Sequence, residues 1–96
     1  MPAYWIAHAN VTEPEAYARY AKLATQALLD HGGRILARGG AYVQLEGTER
    51  GRHVVVEFPS LEAAEACYRS EAYQAALDFA RGAAERDLLI VEGVAP

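Results

Sequence analysis

From His31 to Gly47 the chain reads His-Gly-Gly-Arg-Ile-Leu-Ala-Arg-Gly-Gly-Ala-Tyr-Val-Gln-Leu-Glu-Gly, with two Gly-Gly pairs six residues apart around a short apolar run. Glycine loses more backbone freedom on folding than any other residue, so each pair marks a place where the backbone must turn or run close to a neighbour. Gly39-Gly40 is not a phosphate loop, since neither a lysine nor a helix start follows it. With their flanks, the two pairs take different roles. Gly32-Gly33 stops a helix, and Gly39-Gly40 bends an extended segment.

Upstream, Tyr4 to Val11 alternates as a strand, with Trp5, Ala7 and Ala9 on one side and Tyr4, Ile6, His8 and Asn10 on the other. Thr12-Glu13-Pro14-Glu15 is a helix start in which Thr12 caps, Pro14 sits in the first turn and Glu15 completes a capping box. The helix is expected to reach His31, with Tyr17, Tyr20, Ala24, Ala27, Leu28 and His31 as its buried stripe. Arg34 to Arg38 reads as a second strand, extended again beyond the glycines from Tyr42 to Glu46. The loop Gly47 to Gly51 leads to a third strand, His53 to Phe58, in which Val54, Val56 and Phe58 share a face. Pro59 ends it and Ser60 caps a helix over Leu61 to Arg69. A second cap at Ser70 restarts that helix, whose later stripe is Tyr73, Ala76, Leu77, Ala80 and Ala83 with Gly82 a weak spot. Asp87 to Glu92 is the last strand.

This order predicts an α+β fold of ferredoxin-like βαββαβ plan, a four-stranded antiparallel sheet with two helices on one face, in a single domain over residues 1–96. The other face is left bare, with Ile6, His8, Val55, Glu57, Ile90 and Glu92 expected on it. A half-apolar bare sheet face calls for a partner, and the simplest is a second copy, giving a homodimer closed as a dimeric α+β barrel. The lone Cys67 excludes an intramolecular disulfide and suits a reducing, cytoplasmic location. The segment Met1-Pro2-Ala3-Tyr4 has no basic leader and the apolar runs are too short for a membrane span, so no membrane is expected. A net charge of -4 without any Lys/Arg cluster points away from nucleic acid.

Gly32-Gly33-Arg34-Ile35-Leu36-Ala37-Arg38-Gly39-Gly40 followed by Leu45-Glu46-Gly47 resembles the central signature of the domain-of-unknown-function 1330 family. Val55-Val56-Glu57-Phe58-Pro59-Ser60, Ser70-Glu71-Ala72-Tyr73-Gln74, Arg81 and Ile90-Val91-Glu92-Gly93 follow in that family's order. The resemblance implies a ferredoxin-like monomer, a homodimer of the dimeric α+β barrel superfamily, and no established activity. Superfamily relatives include cofactor-free monooxygenases, haem-degrading enzymes and stress-responsive barrel proteins. Where family members often carry a tryptophan near Cys67-Tyr68, the aromatic here is Tyr68.

Two groups of side chains are candidates for chemistry. His8, Arg38, Glu57 and Glu92 are expected to meet on the bare face, His8 as a general base, Arg38 as holder of an anion or oxyanion, and Glu57 as a positioning group. A polar network at the dimer interface is the plainer account of these four. Tyr42, Glu46 and Arg81 form the second group, with Arg81 bridging to Glu46 or holding an anion. A structural tie between helix and hairpin is again the plainer account. His31 suits a helix C-terminus, where cations are favoured, and His53 reads as exposed. The three histidines lack ligand spacing, so neither metal nor haem nor any other cofactor is expected. Cys67 reads as a small buried hydrophobe, and Tyr17, Tyr20, Tyr68 and Tyr73 as core aromatics with hydroxyls at polar edges. The function that follows is a homodimeric structural or binding module for a small aromatic or anionic ligand. The alternative is a cofactor-independent oxygenase or isomerase for a small aromatic or acidic substrate, with Tyr42 also positioning it.

Overall fold

The computed structural model describes residues 1–95 of the chain. Seven elements follow in order: β1 (Ala3–Val11), α1 (Pro14–Asp30), β2 (Arg34–Arg38), β3 (Arg52–Phe58), α2 (Leu61–Arg69), α3 (Glu71–Ala80) and β4 (Ala84–Glu92). The four strands form one sheet in the order β2-β3-β1-β4, and every neighbouring pair is antiparallel. This is the ferredoxin-like plan, with the second helix divided in two at Ser70, whose hydroxyl accepts from the Tyr73 N–H and so caps the restart.

The alternation in β1 turns Ala3, Trp5, Ala7 and Ala9 toward the helices. Val56 and Phe58 of β3 join them, and Tyr17, Tyr20, Ala24 and Leu28 of α1 cover them with Tyr73 and Ala76 of α3. Trp5, Tyr73, Phe58, Val56 and Cys67 are the largest side chains fully enclosed. Aromatic rings meet edge to face at the centre, Trp5 against Tyr73 with centroids 5.0 Å apart.

The first glycine pair ends α1. Gly33 N–H donates to the Leu28 carbonyl at 2.8 Å and Gly32 N–H to that of Leu29 at 3.1 Å, the pair of bonds of a Schellman motif, with Gly32 at φ +84°. A side chain on Gly33 would stand 2.7 Å from the Leu28 carbonyl oxygen and 3.0 Å from Val56 Cγ1. His31 closes the same helix end, its Nδ1–H donating to the Ala27 carbonyl at 2.8 Å.

Several sequence expectations are corrected. Thr12 does not cap α1: the N-cap position is Glu13 and no side chain caps it. The N–H groups of Thr12 and Glu13 instead donate to the Ala83 carbonyl, at 2.8 and 3.0 Å, tying the helix start to the entry of β4. Residues 42–46 are not a strand continuation; β2 ends at Arg38, and the chain from Gly39 to Gly51 is a loop. The last helix ends at Ala80 rather than Ala83, with Gly82 at φ +75° in the turn after it, and β4 begins at Ala84. Ile90 and Glu92 do not lie on the bare face. Ile90 pairs with Trp5 and packs on the core, and Glu92 pairs with Ala3 on the same side. Leu89, Val91 and Asp87 take the bare face instead, opposite Ile6, Tyr4 and His8.

Substituting Gly33→Ala is expected to lower stability by about 1–3 kcal/mol, since packed backbone and core must shift to admit one methyl. Gly40→Ala, with nothing within 4 Å, is expected to leave the urea midpoint level or slightly raised. Equal losses at both sites would contradict the close approach at Gly33.

Candidate functional site

Counted along β2, alternation puts Arg38 on the same face as Arg34. The ladder does not alternate throughout. Ile35 pairs with Val56 and Ala37 with Val55, so Leu36 is an extra residue, a β-bulge, and the two residues after it change sides. Arg34 therefore stays on the bare face beside Glu57, at 3.6 Å, while Arg38 pairs with Val54 and lies on the helix face.

There it joins two arginines that the sequence reading passed over. Arg52 of β3 and Arg86 of β4 are both paired with Ala9 of β1, one on each side, so the two guanidinium-bearing chains flank the smallest side chain of that row. Alternation along β4 turns the carboxylates of Glu85 and Asp87 the other way, onto the bare face, where Arg50 meets them at 4.0 and 3.3 Å. Among the described residues Arg38, Arg52 and Arg86 have no carboxylate within ion-pair distance.

Tyrosines of α1 roof the two inner arginines. The Arg86 guanidinium lies 4.6 Å from the centre of the Tyr20 ring and that of Arg52 lies 5.9 Å from the Tyr17 ring, contacts that offset part of the lost hydration of a cation. Arg86 Nη2 donates to the Tyr20 hydroxyl at 2.7 Å and to that of Tyr73 at 3.4 Å, and the two hydroxyls are 2.7 Å apart. Burial raises the Tyr20 pKa, and the neighbouring Tyr73 adds to it; Arg86 opposes the shift without reversing it. Burial likewise raises Tyr73, against the hydrogen bonds from Tyr20 and Arg86. Both hydroxyls are neutral at ordinary pH. One donates to the other, which leaves the second O–H with no acceptor among the described residues.

The second glycine pair serves this site. Gly39, at φ +66°, turns the chain out of β2, and a side chain on it would come 2.9 Å from Arg52 Nη1. The missing Cβ is the room the guanidinium occupies.

Between α1 and the sheet these residues enclose a space of about 40 Å³, with Trp5, Ala7, Ala21, Ala24, Leu28 and Val54 in its apolar wall. Arg52 and Arg86 each keep a buried Nε without a hydrogen-bond partner. Two other hollows are roomier. One of about 450 Å³ lies between α2 and the edge strand β4, and its charges, Arg69 and Glu65, satisfy each other at 2.9 Å. The other, about 310 Å³, lies on the bare face under the Gly39–Gly51 loop, where Arg50 is paired with Asp87. Unmatched charge, not volume, singles out the arginine pocket.

The residues expected from sequence do not assemble. His8 is on the bare face opposite His53, and Glu57 is opposite Tyr4, four residues or about 13 Å along the strand. Arg38 is on the other side of the sheet and Glu92 is exposed at its end. His53 is half-buried rather than exposed: its Nε2–H donates to the Arg50 carbonyl at 2.9 Å, so its Nδ1 accepts from His8 Nδ1–H at 2.6 Å. Tyr42 lies tilted against the His53 ring, with centroids 4.5 Å apart, and its hydroxyl donates to Glu49 at 3.4 Å. Glu46 is exposed in the loop, and Arg81 pairs with Asp78 instead of bridging to Glu46.

The fold and its pocket define a small ferredoxin-like α+β protein with an arginine-lined hollow between sheet and helix. The chain belongs to the family described as domain of unknown function (DUF1330), which it matches over residues 2–94. Similar solved structures include a protein of unknown function from Rhodopseudomonas palustris, 22% identical, with 99% of this chain and 84% of that one covered at a TM-score of 0.74. SnoaB, a cofactor-independent oxygenase from Streptomyces nogalater, is 7% identical, with 99% and 95% covered at 0.66. A dimeric ferredoxin-like protein of unknown function from Thermobifida fusca is 15% identical, with 94% and 89% covered at 0.63. At these identities the likeness is one of fold. No curated protein matches the chain.

Burial pushes the Cys67 thiol from its ordinary value near 9 up to about 11, alongside the raised Tyr20 and Tyr73. The folded chain holds these protons more tightly than the unfolded one. The contribution of Cys67 to stability is thus fully present below about pH 9 and is lost as pH rises through about 11, and those of the two tyrosines are lost at higher pH in the same sense. Denaturant midpoints are expected to be level up to pH 9 and to fall between 9 and 11; a rise there would contradict the burial of these groups.

Proposed function

We propose that this protein is a homodimeric binding module that takes a small anion in the arginine pocket. One observation carries the reading. The chain has 13 acidic and 9 basic side chains, yet three arginines gather around one hollow with no carboxylate at ion-pair distance among the described residues. A protein with a surplus of carboxylates has every opportunity to pair such a cluster internally, and leaving it unpaired suits an anion that arrives from outside.

Catalysis of the kind named for SnoaB finds less support. Acid–base chemistry needs a group that can take up a proton near neutral pH. The pocket holds guanidinium groups that stay protonated and Tyr20, which like its hydrogen-bond partner Tyr73 is shifted upward, while His8 and Glu57 are on the far side of the sheet. Its ionisable side chains can donate hydrogen bonds; none is a ready base.

The homodimer rests on the bare face. Ile6, Val55, Leu89 and Val91 share it, Leu89 and Val91 are 56% and 46% exposed, and the neighbouring loop adds Val43 and Leu45. The Thermobifida fusca neighbour, described as dimeric, supports a two-chain assembly. A cytoplasmic setting fits the lone thiol, Cys67.

Trp5 is the chain's one tryptophan and lines the pocket, so its fluorescence reports occupancy. With carboxylate, phosphate, sulfate and nitrate titrated at constant ionic strength, at least one is expected to give a saturable change that Arg86→Met abolishes. No response to any of them would overturn the binding reading. Light scattering is expected to give twice the 10.4 kDa chain mass; a monomer at micromolar concentration would remove the dimer.

A further inference from the structure

We infer that the anion is a small monocarboxylate with a short apolar tail, its carboxylate held between Arg52 and Arg86; this rests on the anion-binding reading and narrows it. The size of the hollow is the first constraint. About 40 Å³, at roughly 10–15 Å³ for each water-sized sphere, admits three or four heavy atoms. That is a carboxylate and the carbon it is attached to. A phosphate or sulfate ion has five heavy atoms.

The walls are the second constraint. The buried donors gather at one end, the guanidinium groups of Arg52 and Arg86, flanking Ala9, and the hydroxyl of Tyr20, while Arg38 stands beside Val54 at the rim. Ala7, Ala21, Ala24, Leu28 and Val54 supply alkyl surface elsewhere. A tetrahedral anion carries oxygens in every direction and would press some of them against those methyl groups unhydrated, at a loss. A carboxylate has its two oxygens on one edge and carbon behind them, which matches a wall that is polar on one side and apolar on the other.

Hydrogen-bond accounting is the third. Arg52 Nε and Arg86 Nε are buried and unpartnered, and one tyrosine proton has no acceptor among the described residues. Those are three donors without acceptors, and a carboxylate is an acceptor only, with about four lone-pair sites. The guanidinium fork matches its planar edge. Arg38, exposed at the end of β2, lines the same hollow and adds positive charge at its rim.

The probes are acetate, its uncharged isostere acetamide, and inorganic phosphate, each titrated against the protein by Trp5 fluorescence and thermal midpoint. Sodium chloride at matched ionic strength is the reference. Acetate is expected to saturate the signal and raise the midpoint, acetamide to do neither, and phosphate to bind at least tenfold more weakly. Arg52→Met and Arg86→Met, which keep most of the alkyl stem, are each expected to weaken acetate at least tenfold; Arg69→Met, at a surface ion pair with Glu65, is expected to leave it unchanged. Circular dichroism confirms that each variant is folded, and if Arg86→Met is not, Arg52→Met alone decides. Tighter binding of phosphate than of acetate would overturn the monocarboxylate and keep the anion site. Acetate binding unaffected by either pocket variant would also overturn it. Silence from both anions would overturn the monocarboxylate, and silence from sulfate and nitrate as well would remove the anion site.

Discussion

Arg86 ties three parts of the molecule together. Its stem rises from β4, its guanidinium lies on the Tyr20 ring of α1, and its Nη2 donates to the Tyr20 hydroxyl that meets Tyr73 of α3. A half-buried cation is costly unless something answers its charge. Here the answer is incomplete: a ring face and two neutral hydroxyls, with Nε left over. The same contacts that hold α1 and α3 at their spacing from the sheet thereby keep the pocket electropositive. Arg52 repeats the device one strand pair away on Tyr17, and Gly39 clears the space that this second guanidinium needs.

Strand alternation sorts the charges before any pairing takes place. Glu85-Arg86-Asp87 is a run of three ionisable residues that would read as a mixed, self-neutralising patch on a loop. In β4 it is divided, carboxylates to the bare face and arginine to the helix face. The acids then meet Arg50, and Glu57 meets Arg34, so the bare face is largely matched among its own residues. Such matched pairs contribute little individually at exposed positions, but they leave the apolar residues Ile6, Val55, Leu89 and Val91 as what that face has to offer a second copy.

Element order was legible because helix stops and caps have local chemistry. Gly32-Gly33 and Ser70 act through bonds to residues a few positions away, and both roles were readable. Facing was less legible. In β4 the run Leu88-Leu89-Ile90-Val91 is apolar throughout, so nothing in it tells the covered side from the bare one. Its true parity comes from Ala84 and Arg86, residues the sequence had left outside the strand. In β2 the bulge at Leu36 is invisible to periodicity, and it alone moves Arg38 from the face where a reaction was sought to the face where the arginines gather. Arg52 and Arg86 were missed for a related reason: arginine in a strand reads as solvent-facing unless its parity partners are buried, and Leu88 and Ile90 were the available sign.

A pocket of permanent donors has a distinct physical character. Groups that titrate near neutrality exchange protons with what they bind, and that exchange is the basis of turnover at many sites. Guanidinium groups and upward-shifted phenols do not. They hold their protons across the working pH range, so an anion gains the same hydrogen bonds whenever it is ionised, and the protein itself takes up or releases no proton at this site. Such a site is suited to recognising a charge and returning it unchanged. A catalytic role would need the missing base to come from the bound molecule itself or from a second chain. The His8–His53 pair cannot supply it, because the sheet stands between that pair and the pocket.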